Sequence, residues 1–228
     1  EGDLAVWFAD ITHRKNQERE LIEADRRKDE FLATLAHELR NPLAPIRQAA
    51  SIARSARSTE EQKRWSHDVI ERQVQHMSLL LDDLLDVSRI THGTLQLRRQ
   101  STDLHSIVNA AVETARPLID ERHHQLRIDV PGAIQLHGDP LRLAQVLSNL
   151  LTNAAKYTRN GGSIRVTGRQ RDGGIVVAVE DNGIGIAAED LPRVFGMFAQ
   201  LRGDHDHSAG GLGIGLALGK GIVELDGG

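Results

Sequence analysis

Between Asp3 and His92 the chain carries no glycine, whereas 17 of its 21 glycines follow residue 160. Glycine punctuates helices and supplies turns, so this division calls for long helices first and a much-turned segment last. From Arg14 to Ala56 the residues are mostly strong helix formers. Leu21, Phe31, Leu32, Leu35, Leu39, Leu43, Ile46 and Ala50 recur at three- and four-residue steps, the apolar stripe of one helix about 60 Å long. Ser58, Thr59 and Glu61 mark a turn and a new helix start, after which Trp65, Val69, Ile70, Met77, Leu81, Leu84, Leu85 and Ser88 form a second stripe. Two such helices make a hairpin that cannot bury a wide stripe alone. Pairing two hairpins into a four-helix bundle solves this, which predicts a homodimer. The alternative is a hairpin packed on the rest of its own chain.

From Gly93 onward the pattern changes. Short β-rich runs at Leu95–Arg98, Gln125–Val130, Ser163–Gly168 and Ile175–Val179 alternate with helical stretches near 103–121, 139–157 and 211–225. This predicts an α/β sandwich, helices on one face of a mixed sheet. Leu4–Ile11 reads as a last strand of something upstream, and the charged segment after Thr12 as a connector helix. At 228 residues the chain has room for two modest domains. With 39% hydrophobic and 26% charged residues it should fold as a soluble globule. A formal charge of −4 argues against sequence-independent nucleic-acid binding. The absence of cysteine excludes disulfides, thiolate metal sites and a cysteine nucleophile. No run reaches the roughly 18–20 apolar residues of a membrane span, and the first residues lack a signal-peptide pattern.

Several phosphate and metal motifs fail. Gly219-Lys220 is followed by Gly221 and has Ile214 where a Walker loop needs its first glycine. No G-x-G-x-x-G follows a strand, and His37-Glu38 meets Asn41 where a zinc-binding H-E-x-x-H needs histidine. Four other motifs survive. Phe31–Leu43 contains His37-Glu38-Leu-Arg-Asn41-Pro42; Asn149-Leu-Leu-Thr-Asn153-Ala-Ala-Lys156-Tyr157-Thr follows. Then come Glu180-Asp181-Asn-Gly183-Ile-Gly185-Ile and Gly210-Gly211-Leu-Gly213-Ile-Gly215-Leu. In this order they resemble the phosphoacceptor box, asparagine box and two glycine boxes of the sensor histidine kinases of two-component signalling. The resemblance covers nearly the whole chain, and Val6–Thr12, ending in Asp10-Ile11-Thr12, is similar to the tail of a PAS sensor domain.

Physical readings stand beside the resemblance. A neutral imidazole is a competent nucleophile near pH 7, and a neighbouring carboxylate can orient it and accept its proton. His37 is therefore the expected phosphoryl acceptor and Glu38 its base, although a lone histidine among 11 would be read as part of a solvated helix face. Pro42 and Pro45 each remove a backbone donor, which favours a bend past His37 or a merely tolerated kink. Asn149 and Asn153, four apart, share one helix face, where neutral amide oxygens suit Mg²⁺ beside an anionic triphosphate; in isolation the pair would read as a solvated face. The resemblance implies that Asn153 is the direct Mg²⁺ ligand with Asn149 in support. Lys156 is placed to neutralise a phosphate and Tyr157 to stack on the nucleotide. Asp181 ends a strand, and the resemblance implies that it contacts the adenine amino group; without the other boxes it would be an ordinary D-N-G turn. Gly183 and Gly185 allow close backbone approach, and Gly211, Gly213 and Gly215 expose backbone N–H groups at a helix start suited to phosphate. Phe195–Ala199 and Arg202–Ala209 read as a gripping segment and a lid over ATP, with His205 and His207 offering a weaker metal-binding alternative. By the same resemblance, Asn41 helps to orient a water when a regulator is dephosphorylated.

The resemblance divides the chain into the end of a PAS-like domain (1–13), a connector helix (14–30), a dimerisation and phosphotransfer hairpin (31–92) and an ATP-binding domain (93–228). Beyond Gly228 the family normally continues into further strands, so the resemblance leads to the expectation that this is a fragment of a longer polypeptide. Gly196 stands where an acidic residue is common, Leu212 where a hydroxyl is common, and Gly219 weakens a helix by about 1 kcal/mol relative to alanine. The expected activity is ATP·Mg²⁺-dependent autophosphorylation on His37, then transfer to an aspartate of a response regulator receiver domain. A cytoplasmic catalytic core is implied, joined to an upstream sensor domain, with no nucleic-acid partner and no membrane contact within this stretch. Two other classes stay open: a noncatalytic dimeric scaffold, and a gyrase- or chaperone-type ATPase that hydrolyses ATP with water.

Overall fold

The computed structural model describes residues 12–132, 134–171, 173–197 and 213–228. The expected PAS-like tail, the Arg202–Ala209 lid, His205, His207 and Gly211 lie outside these residues, apart from the first turn of the opening helix. The chain parts into two compact units between Gln73 and Val74.

The first unit holds helix α1 (Thr12–Arg54) and the first turns of helix α2 (Glu60–Thr91). α1 continues through Pro42 and Pro45. In the link at 55–59, the Ser58 hydroxyl donates to Ile52 O at 2.7 Å. α2 opens with a reciprocal capping box: Thr59 N donates to Gln62 Oε1 at 2.9 Å, and Gln62 N to Thr59 Oγ1 at 3.2 Å. The cap is thus Thr59, one of the residues expected to mark the helix start, with Gln62 as its partner. Ala49 and Ser66 are buried within this helical region.

The second unit begins inside α2, whose end is closed around Gly93 (φ +63°) by bonds from Gly93 N to Ile90 O and Thr94 N to Arg89 O. Then follow β1 (Gln100–Asp103), α3 (Leu104–Glu121), β2 (Gln125–Asp129), β3 (Gln135–Gly138), α4 (Pro140–Tyr157), β4 (Ser163–Arg171), β5 (Gly174–Asp181) and α5 (Gly215–Asp226). β2, β4 and β5 form a mixed sheet, parallel between β2 and β4 and antiparallel between β4 and β5. Ile164 and Val166 of β4 bury one face against Ile107, Val108, Ala111 and Ile119 of α3 and Leu147, Leu151, Ala154 and Ala155 of α4. Arg165, between them, and Arg169, further along, stay exposed, the period-two alternation of a half-buried strand. This is the expected α/β unit after a helical region.

Two details differ from the sequence reading. Leu95–Arg98 is not a strand; the first strand starts at Gln100 and pairs antiparallel with the unexpected β3 in a separate two-stranded sheet. The earlier run serves as a tether. Arg98 N donates to Asp139 Oδ2 at 2.8 Å, and Arg99 Nε donates to Asp226 Oδ1 at 2.9 Å. The last helix begins at Gly215 rather than near 211.

Candidate functional site

α4 carries four of the expected residues, and its ends explain how they are held. Asp139 caps the start, its Oδ1 accepting from Leu141 N at 3.1 Å and Arg142 N at 3.2 Å, with Pro140 in the first turn. At the other end each of the last four carbonyls finds a different donor. Thr158 N donates to Ala154 O at 3.0 Å, His124 Nε2 to Ala155 O at 3.0 Å, Arg122 Nη1 to Lys156 O at 2.8 Å and Ile184 N to Tyr157 O at 3.2 Å. Helix ends leave such carbonyls orphaned, and a guanidinium there also complements the helix dipole. Lys156 and Tyr157 therefore sit on a turn that cannot fray freely. Asn153 and Asn149 lie one and two turns earlier respectively, both half-buried; Tyr157 is exposed.

Asp181 closes β5 beside this turn. Its Oδ1 accepts from Gly183 N at 2.8 Å and from the buried Thr158 hydroxyl at 3.3 Å. One carboxylate oxygen is thereby occupied, while the residue as a whole stays exposed. Gly183 follows in a loop pressed against α4: a Cβ there would lie 2.4 Å from Tyr157 O. Gly185 has φ +70° and open space around it. At the start of α5, Gly213 has φ +65° and Gly215 is the first helical residue. Asn149 Nδ2 donates to Gly215 O at 3.4 Å, linking the asparagine pair to the second glycine run. The cap position Ile214 offers no side-chain bond to the α5 N–H groups. Asn149, Lys156, Tyr157, Asp181, Gly183 and Gly215 are thus gathered by α4, the end of β5 and the start of α5.

His37 belongs to the first unit. It is exposed on α1, with Glu38 half-buried beside it. The Asn41 amide Nδ2 lies 3.2 Å from His37 Nδ1; an amide N–H donated there holds the ring proton on Nε2. The same pairing recurs at 3.0 Å between Asn109 and His105 on α3, far from any motif. It is what H-x-x-x-N does on a helix, not by itself a mark of catalysis.

Four residues that brace the asparagine-bearing helix escaped the sequence reading. Arg142 Nη1 binds Asp86 Oδ2 of α2 and Gln145 Oε1, and Gln145 Nε2 donates to Asp83 Oδ1 at 2.9 Å. This ties the asparagine-bearing helix to the end of α2. Burial pushes the Asp83 carboxyl above its ordinary value, against the lowering effect of the Gln145 bond. At the same contact a Cβ on Gly221 of α5 would meet Ile90 at 2.9 Å, so α5 needs glycine there. The only local signal was Asp139-Pro140, a cap followed by a first-turn proline.

Residues 27–93 match the His Kinase A (phospho-acceptor) domain, and 138–228 match the histidine kinase-, DNA gyrase B- and HSP90-like ATPase family. The chain belongs to the sensor histidine kinases. Among similar proteins, the histidine protein kinase DivJ of Caulobacter vibrioides is 33% identical over all of this chain and 40% of its own length. The non-motile and phage-resistance protein of the same organism is 34% identical over 96% of this chain and 27% of its own. The crystal structure of full-length ShkA with AMPPNP is similar at TM-score 0.62 and 28% identity, over 87% of this chain and 41% of that one. This histidine kinase chain therefore spans well under half the length of these proteins. Among its described residues no helix is long and apolar enough to cross a membrane.

Proposed function

We propose that the chain binds ATP with Mg²⁺ at the α4, β5 and α5 junction and transfers the γ-phosphoryl group to His37. The observation that carries this reading is the convergence of three distant motifs: Asp181 with one oxygen occupied, Gly183 against the Tyr157 carbonyl, and Asn149 against Gly215. The adenine amino group would donate to the other Asp181 oxygen. Tyr157 stacks on the nucleotide, Lys156 neutralises a phosphate, and the N–H groups after Gly213 serve the phosphate chain, with Gly185 shaping the loop after Asp181 and Gly211 assigned to the phosphate site by its motif. Mg²⁺ fits here through the Asn153 amide oxygen. No cluster of three His, Cys, Asp or Glu exists among the described residues, so phosphate and water must supply most of its shell, as is usual for this ion. When bound, it neutralises phosphate charge.

The imidazole nitrogen attacks phosphorus in line, a P–N bond forms, the bond to the ADP oxygen breaks, and the ring proton passes to Glu38. Attack through Nε2 needs the proton on Nδ1, so the Asn41 amide must release Nδ1 or present its oxygen to the new N–H. The phosphoramidate then supplies an aspartate of a response regulator, and Asn41 orients a water in the reverse dephosphorylation. In this reading 31–92 is the dimerisation and phosphotransfer hairpin of a homodimer, 93–228 the ATP-binding domain, 14–30 a connector from an upstream PAS-like sensor, and the core is cytoplasmic. The decisive experiment incubates the chain with γ-labelled ATP and Mg²⁺. Acid-labile label that disappears in His37→Gln supports the proposal; ATP binding with phosphate released to water and no labelled protein overturns it in favour of an ATPase.

A further inference from the structure

We infer that Thr158 is a positioning residue for nucleobase recognition, a role that rests on the proposed contact between Asp181 and a purine amino group. Thr158 is 2% exposed, and all three of its polar or apolar handles are committed. Its N–H closes α4 on Ala154 O. Its methyl sits against Gly162, where a Cβ would come within 2.2 Å of it. Its hydroxyl then points at Asp181 Oδ1, 3.3 Å away. A β-branched side chain has few χ1 choices, and a methyl wedged under backbone removes the others. The hydroxyl direction is consequently set by packing rather than by the carboxylate it meets.

Oδ1 of Asp181 receives a second donor, Gly183 N at 2.8 Å. Two donors on one oxygen fix the plane of the carboxylate and leave Oδ2 as the acceptor for a ligand. Asn182 is pinned as well, its Oδ1 accepting from Ser163 N at 2.8 Å, so the chain beyond Asp181 cannot swing to compensate. Removing the Thr158 hydroxyl frees the carboxylate to rotate about its own axis while leaving the loop in place. The effect falls on the amino group of the base and on nothing else in the nucleotide.

Calorimetry on the full 228-residue chain tests this with two probes, ATP and purine-riboside triphosphate, which lacks the 6-amino group. Wild type should prefer ATP. Thr158→Val, nearly isosteric, should weaken ATP binding about tenfold and leave the amino-free analogue unchanged; Thr158→Ser, which keeps the hydroxyl, should retain most of the preference. Thr158→Ala provides a second hydroxyl-free protein should the valine variant not fold, with the same expected loss. Equal loss for both nucleotides, or an undiminished preference for ATP, overturns the inference and leaves the Asp181 reading standing. A wild type with no preference, matched by Asp181→Asn, overturns the Asp181 contact itself and this inference with it.

Discussion

Gly183 and Gly185 read alike in the sequence, but their surroundings assign them different work. A methyl at Gly183 would press on the Tyr157 carbonyl, a backbone atom that cannot step aside. Gly183→Ala is expected to cost about 1–3 kcal/mol, as overpacking does, and to weaken ATP binding by displacing Asp181. Gly185→Ala meets nothing within 4 Å and bears only the strain of φ +70°, about 1–2 kcal/mol. Thermal melts with ATP titrations should show the larger loss of affinity at Gly183. The sequence placed both glycines at the site through their motif and assigned them to approach by the base; for Gly183 the nearest obstacle is the protein itself. Candidate site residues were nameable from the sequence wherever chemistry and spacing coincide, as for His37, Asn149, Asn153 and Asp181. Arg122, His124 and Thr158 were not, because a side chain that serves a distant carbonyl or carboxylate leaves no local pattern.

The four longer helices were legible as elements because 18 or more residues of periodic pattern average out local exceptions; α5, with 12, starts later than its pattern suggested. β1 and β3, four residues each and only half of them exposed, offer too short an alternation to register, and Leu95–Arg98 has apolar alternation but its Arg98 N–H goes to Asp139. The joint between α2 and α4 yields two predictions. Asp86 is 4% exposed, and Arg142→Met would leave its charge without a cation, a loss on the order of 3–5 kcal/mol measurable by denaturant unfolding. Asp83 behaves in the opposite sense. Its carboxyl titrates above the ordinary value in the folded chain, so the folded state holds the proton more tightly than the unfolded state. Its contribution to stability accordingly falls as pH rises from the ordinary carboxylate value through the raised one, and returns on acidification. Asp83→Asn keeps an acceptor for Gln145 while removing that dependence. Its melting temperature is expected to match or exceed that of the parent at pH 7, with the advantage vanishing at pH 4.

Taken whole, the chain leaves large apolar side chains about half exposed along both long helices, including Leu32, Leu43 and Trp65, and Leu79, Leu81 and Leu85. A solvated helix rarely keeps so many, and covering them with a second copy is the expected remedy. Light scattering should return twice the chain mass, and Leu79→Glu should shift it toward the single chain. The apolar stripes themselves were legible from periodicity, since an unpaired stripe shows in the sequence as clearly as a paired one. Least legible was the manner in which α4 ends. Beyond the local bond from Thr158 N, its closing donors come from Arg122, His124 and Ile184, segments that meet only once the sheet and α3 are in place. That last turn has no route to partial assembly. In deuterated solvent the amides of Thr158 and Ile184 should therefore exchange on the slowest timescale of the second unit, through its global opening rather than by local fraying.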